Sequence, residues 1–117
     1  MKHDHEKLIP LAPATLHILL ALAAEDLHGY AIMQEVARQS EGQYKLGPGT
    51  LYDNLQRLLD QGLVREMGRR ASDTDSRRRY YSLNTAGQRV LAAEVKRLEG
   101  VVHEARLRLR ALRPEKA

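Results

Sequence analysis

The chain has no cysteine, no tryptophan and no phenylalanine. Without cysteine there are no disulfides and no thiolate chemistry, which suits a reducing cytosol. Without Phe and Trp the core has to be built from Leu, Val, Ile, Ala and some of the five tyrosines. So thin a core in a chain of 117 residues favours burial against a second copy. Long apolar runs are missing too. No stretch has the length of a transmembrane span, and the opening Met-Lys-His-Asp-His-Glu-Lys lacks the apolar run of a signal peptide. Ligand-type spacings are also missing. His3 and His5 flank Asp4, while His17, His28 and His103 fall on different segments, and none lies one helical turn from another ligand. Asp73 and Asp75 do not complete a calcium loop. There is no Gly-rich phosphate loop and no nucleophile elbow. The reading is therefore no enzyme, no metal and no cofactor.

What is present is basic charge. The net charge is +4 and the sequence pI about 9.6, so an anionic partner is expected. Arginine dominates from Arg65 onward. The periodicity predicts a mainly α fold with a small β-hairpin. Residues 1–10 read as a flexible tail. Pro13 opens a helix over Ala14–Glu25 that is apolar around more than one face. Asp26–Gly29 reads as a turn, Tyr30–Gln39 as a second helix and Ser40–Gly49 as a loop. A third helix runs from Pro48 to Gln61, closed by Gly62 as a left-handed cap. Its stripe is Leu51, Leu55, Leu58 and Leu59, with Gly49, Asp53, Gln56, Arg57 and Asp60 opposite. Leu63–Met67 and Arg78–Leu83 read as two strands around the polar loop Gly68–Ser76. Thr85-Ala-Gly-Gln88 resembles a capping box opening a helix that reaches about Leu112, near Pro114.

Three helices followed by a two-stranded wing is the order of a winged helix-turn-helix, here over residues 11–84. The third helix would enter a DNA major groove by its N-terminal residues, which selects Pro48, Gly49, Thr50, Tyr52 and Asp53. Lys45 just before it should meet phosphate. Asp53 is either a reader of cytosine N4 or the i+4 partner of Arg57, and the pairing is favoured. The wing carries Arg69, Arg70, Arg77, Arg78 and Arg79, suited to phosphates or the minor groove. A solvated charged hairpin is the competing reading. Strand alternation prevents Arg77, Arg78 and Arg79 from all facing DNA.

The last helix, over 85–113 with a tail at 114–117, carries Leu91, Val95, Leu98, Val102, Ala105, Leu109 and Leu112 at alternating four- and three-residue steps. That is a seam of about three heptads and predicts homodimerisation. Leu16 and Leu20 of the first helix are expected to join the interface. His17 is a candidate for the same surface.

Several short runs together resemble the PadR family of bacterial transcriptional regulators. They are Leu-His-Ile-Leu-Leu-Ala-Leu (16–22), His-Gly-Tyr-Ala-Ile (28–32), Gly-Thr-Leu-Tyr (49–52), Leu-Xaa-Xaa-Gly-Leu-Val (59–64), Arg-Arg-Arg-Tyr-Tyr (77–81) and Leu-Asn-Thr-Ala-Gly (83–87). The resemblance spans Leu11 to Leu112 and is to the compact branch with one C-terminal helix. It implies a cytoplasmic homodimer that binds a two-fold symmetric double-stranded operator and represses nearby genes until a small molecule or stress signal relieves it. It puts Thr50 and Tyr52 at DNA-contacting positions and lets Tyr30 reach the backbone. Some compact members stack flat aromatic molecules between tryptophans at the dimer centre; with no Trp, that mode is unavailable here. An effector would instead meet Leu16, Ile18, Leu98 and Val102. The alternative function is a winged-helix interaction module for an acidic protein.

Overall fold

The computed structural model describes residues 7–68 and 79–112. Its elements are α1 (Pro13–Ala24), β1 (Leu27–His28), α2 (Gly29–Gln39), α3 (Pro48–Asp60), β2 (Val64–Met67), β3 (Tyr80–Leu83) and α4 (Thr85–Ala111). The mainly helical fold with a small sheet and a long last helix agrees with the sequence reading.

Helix α1 is the hub. It starts on Pro13, whose missing N–H is no loss in a first turn. Ala14, Ile18, Leu19, Ala21 and Leu22 are all buried, because α2, α3, β3 and α4 each pack against it. Burying one such Leu or Ile contributes about 1.5–3 kcal/mol, so this cluster is the main source of cohesion. Ile18 is wholly enclosed. It therefore belongs to the core and cannot line an effector site, as the resemblance had suggested. Leu8, Ile9 and Leu11 pack on the same core, so the folded chain starts ahead of residue 11.

The sheet holds a strand that periodicity did not reveal. The order is β1-β3-β2, all antiparallel. Leu27 and His28, read from sequence as part of a turn, pair with Tyr81 and Tyr80. Two residues are too few to show alternation, so only the proximity of β3 makes them a strand. With neighbours on both edges, β3 buries both Tyr80 and Tyr81 although they point to opposite faces. The His28 ring meets Tyr80 edge-on, at 5.4 Å between centroids.

Two glycines explain where elements stop and meet. Gly62 has φ +73, the left-handed turn needed to leave α3 and enter β2. Gly87 faces the Leu63 carbonyl and the Leu83 side chain so closely that a Cβ would clash with both. Helix α4 is thereby laid directly on the sheet. Its N-cap is Asn84, whose Oδ1 accepts the Gly87 N–H at 2.9 Å. The sequence reading had assigned this cap to Thr85. Asn84 wins because its Nδ2 also donates to the Gly62 carbonyl, at 2.7 Å, a partner brought near by the fold.

Candidate nucleic-acid interface

Helix α3 owes its placement to its inner face. Leu51, Leu55 and Leu58 are buried, and the moderately spaced leucines leave the opposite side free. Asn54 is buried among them. Its Nδ2 donates to the Thr50 carbonyl at 2.8 Å and its Oδ1 accepts the Thr15 hydroxyl at 2.9 Å. This pair pins α3 to α1 with both polar groups satisfied. The sequence reading missed Asn54. The signal was its place within the leucine stripe, where a polar residue needs a partner.

The outer face bears the predicted residues. Pro48, Gly49, Thr50, Asp53, Gln56, Arg57 and Asp60 are exposed, as is Lys45 ahead of the helix. Tyr52 is 49% exposed. Its hydroxyl lies against Gly29, the first residue of α2, where a Cβ would collide with it. The next residue, Tyr30, is 61% exposed. Thus the Tyr52 side chain sets the N-terminal half of α3 against the start of α2. The favoured Asp53–Arg57 pairing does not form. No ion pair joins them among the described residues, and Gln56 instead donates to Asp60, at 3.0 Å.

The sheet extends this surface. Glu66 and Tyr81 are cross-strand partners on β2 and β3. Burial raises the Tyr81 phenol above its ordinary range, and Glu66 and Tyr52 add to the rise while Arg79 opposes it. The phenol therefore stays neutral and able to donate. Arg79 is exposed beside it. Arg69, Arg70, Arg77 and Arg78, with most of the wing loop, lie outside the described residues.

The loop into α3 is clamped. Gln39 Nε2 donates to the His17 carbonyl at 2.9 Å and lies 3.1 Å from His17 Nδ1. The His17 ring stacks on Tyr44, 4.9 Å between centroids. The Ser40 hydroxyl accepts the Tyr44 N–H at 3.0 Å. His17 thus ties the end of α2 and Tyr44 of the following loop to α1. Its role was hidden because Gln39 and Tyr44 are remote from it in sequence.

The dimer-seam residues divide. Leu91 is buried in its own domain. Leu16 and Leu98 are half-buried, and Leu20 sits at the edge of exposure. Val95, Val102, Ala105, Leu109 and Leu112 are exposed, the last two at 66% and 67%. Val101 and Leu107, off the predicted seam, are exposed as well. No group of three or more His, Cys, Asp or Glu among the described residues is placed to hold a metal. None of the described helices is long and apolar enough to cross a membrane.

Comparison with known proteins agrees with this geometry. The model of the transcriptional regulator PadR-like family matches residues 18–93. The transcriptional regulator Rv3488 of Mycobacterium tuberculosis is 36% identical over 94 residues, covering 80% of this chain and 82% of its own. A 37.1 kDa protein of transposon TN4556 from Streptomyces fradiae is 38% identical over 95 residues; the match takes in 79% of this chain but only 26% of that longer protein. Among solved structures, a PadR family regulator from Clostridium difficile R20291 superposes with TM-score 0.72 at 21% identity, over 84% of this chain and 99% of that one. Bacillus subtilis PadR, solved in complex with operator DNA, gives TM-score 0.64 at 21% identity, over 74% of this chain and 48% of its own. The family match covers the helical core, the sheet and the start of α4, and with Rv3488 it establishes that this chain belongs to the PadR-like family of transcriptional regulators.

Proposed function

We propose that the chain is a homodimeric, sequence-specific DNA-binding repressor. The observation that carries this reading is the outer face of α3. Gly49, Thr50, Tyr52 and Asp53 are exposed at its N-terminal half, and the helix is fixed from behind by three leucines and Asn54. A rigid helix whose first turns are open is what major-groove reading requires. Thr50 and Tyr52 meet base edges and the nearby backbone, with Asp53 open to cytosine N4 now that Arg57 does not pair with it. Lys45 and Tyr30 on one side, with Arg57 and Arg79, address phosphates. Arg69, Arg70, Arg77 and Arg78 supply the rest of the wing's charge. Dimerisation through α4 presents two α3 helices to half-sites about one helical turn apart, or a multiple of it. The PadR of Bacillus subtilis solved on operator DNA supports the same use of this fold. Relief of repression by a small molecule or stress signal completes the proposal.

The test is a nuclease footprint on DNA upstream of the chain's own gene, at near-physiological salt with competitor DNA. A two-fold symmetric protected patch is the expected result. Salt-labile smearing without a patch, there and across a genomic library, would sink the reading in favour of an acidic protein partner. On a protected site, Arg79→Ala should weaken binding to all sequences alike. It should also reduce the salt slope by about one unit, since each phosphate contact contributes roughly that much.

A further inference from the structure

Gly29 and Tyr52 meet where α2 and α3, the two helices of the helix-turn-helix pair, come together. Gly29 is the first residue of α2 and is buried, although His28 before it is only half-buried and Tyr30 after it is exposed. What covers it is the ring of Tyr52. A Cβ on Gly29 would overlap the Tyr52 hydroxyl and stand 2.9 Å from its Cζ and 3.3 Å from its Cε1, and these are the three nearest atoms. The backbone does not demand glycine here: unlike Gly42 and Gly62, Gly29 has no positive φ. The notch is therefore shaped to a side chain. In this it differs from the one at Gly87, where the nearest atom is the Leu63 carbonyl oxygen. Its floor is held in place. His28 pairs with Tyr80 on β3, sets its ring edge-on to the Tyr80 ring, and accepts the Ala31 N–H on Nδ1 at 3.3 Å as the N-cap of α2. Tyr52 is exposed, so it is the partner that would give way.

We infer that Gly29 is a positioning residue for DNA contact: its missing side chain lets Tyr52 lie back across the start of α2, which directs the phenol to the DNA backbone rather than to a base edge. This rests on the DNA-binding reading above and narrows the part that Tyr52 plays in it. In a helix-turn-helix the recognition helix reads base edges from its first residues, while the helix ahead of it crosses the sugar-phosphate backbone. Here α3 is the recognition helix and α2 the one ahead. A side chain that leaves α3 and ends on the first residue of α2 thus leads from the groove towards the phosphates. It ends one residue from Tyr30, whose phenol is exposed and addresses the same backbone. A phenol donates one hydrogen bond to a phosphate oxygen, and such a bond carries no sequence information. Base reading then falls to Gly49, Thr50 and Asp53 on the exposed face of α3. A β-carbon at position 29 tilts the Tyr52 ring away and takes its hydroxyl off the phosphate, while the leucines behind α3 stay where they are.

The test uses Gly29→Ala, Tyr52→Phe and the double variant in the full chain. Each is titrated on the operator found by footprinting and on versions of it changed one base pair at a time. Alanine suits a first-turn helical position, and the nearest atoms it displaces belong to an exposed side chain. Gly29→Ala should therefore melt no lower than the unsubstituted chain. Both it and Tyr52→Phe should weaken operator binding roughly tenfold, the loss of one hydrogen bond to a charged group. The loss should be equal on every base-pair variant. The double variant should bind no worse than Tyr52→Phe alone, since both changes remove one contact. Unaltered binding by Gly29→Ala, a lowered melting temperature that accounts for its loss, losses that multiply in the double variant, or a loss confined to one base pair each overturns the inference. The contact is also read without DNA. A nuclear Overhauser effect should join the Tyr52 ring protons to the Gly29 α-protons in the free chain, and its absence overturns the positioning role alone. A chain that shows this contact yet protects no DNA overturns the DNA-binding reading and the phosphate contact with it.

Discussion

Helices α3 and α4 carry the same kind of leucine stripe, and the fold uses the two stripes in opposite ways. In α3 the stripe is spent inside the domain: Leu51, Leu55 and Leu58 are buried and the polar face remains for recognition. In α4 only the first turns, with Gly87, Val90, Leu91 and Glu94, are buried. From Val95 on, the apolar residues other than the half-buried Leu98 stand in solvent. A stripe inside the domain contributes to folding. On the homodimer proposed above, a stripe beyond it contributes to association, and its burial depends on concentration. Periodicity is alike in both, so the distinction lies in where the rest of the chain ends up.

The sharpest way to break this comparison is a matched pair of truncations. Leu55→Ala should destabilise the monomer by about 2–5 kcal/mol through lost burial and a residual cavity. Leu109→Ala should leave monomer stability within about 0.5 kcal/mol, as surface changes do, while weakening self-association. Urea unfolding at low protein concentration measures the first effect and sedimentation the second. Equal losses of monomer stability would erase the distinction between the helices.

A smaller effect is expected where the two regions join. Gly87→Ala places a methyl group against the Leu63 carbonyl and Leu83. Since the first contact is backbone, α4 has to shift, at a cost of about 1–3 kcal/mol. Thermal unfolding gives the cost.

The smallest expected effect is in acid. Glu94 is 1% exposed. Its carboxylate receives Arg97 through two bonds, at 2.7 and 2.9 Å, and accepts the Leu11 N–H at 3.0 Å. The Arg97 hydrogen bonds hold the carboxyl below its ordinary range, with the Leu11 N–H helping and burial opposing. Because the folded-state value is depressed, this stabilisation is fully present above the unfolded-state value and is lost as pH falls through the folded one. Glu94→Gln should therefore cost most near neutral pH, with the gap to the unsubstituted chain shrinking as the solution is acidified. A gap that is constant with pH would remove Glu94 as a titrating tie between α4 and the segment ahead of α1.

Helix existence, order and approximate extent were legible in the sequence, because 3.6-residue periodicity, Pro13, Pro48 and Gly62 are local signals. So was the exposed face of α3, since a leucine stripe defines its opposite. The contributions of Asn54, His17 and Glu94 were not. Each depends on a partner far along the chain: Thr15, Gln39 with Tyr44, and Leu11. The strand at Leu27–His28 was equally hidden, because a two-residue strand exists only through its neighbour.

The amino-acid sequence by itself determined the helices, the leucine stripes, the excess of arginine in the wing and the family. Those are properties of composition and short spacing. Tertiary structure alone decided which stripe is core and which is surface, and which polar side chains are pinned. Those are properties of distance, and chain separation says little about distance once the backbone has folded back on itself.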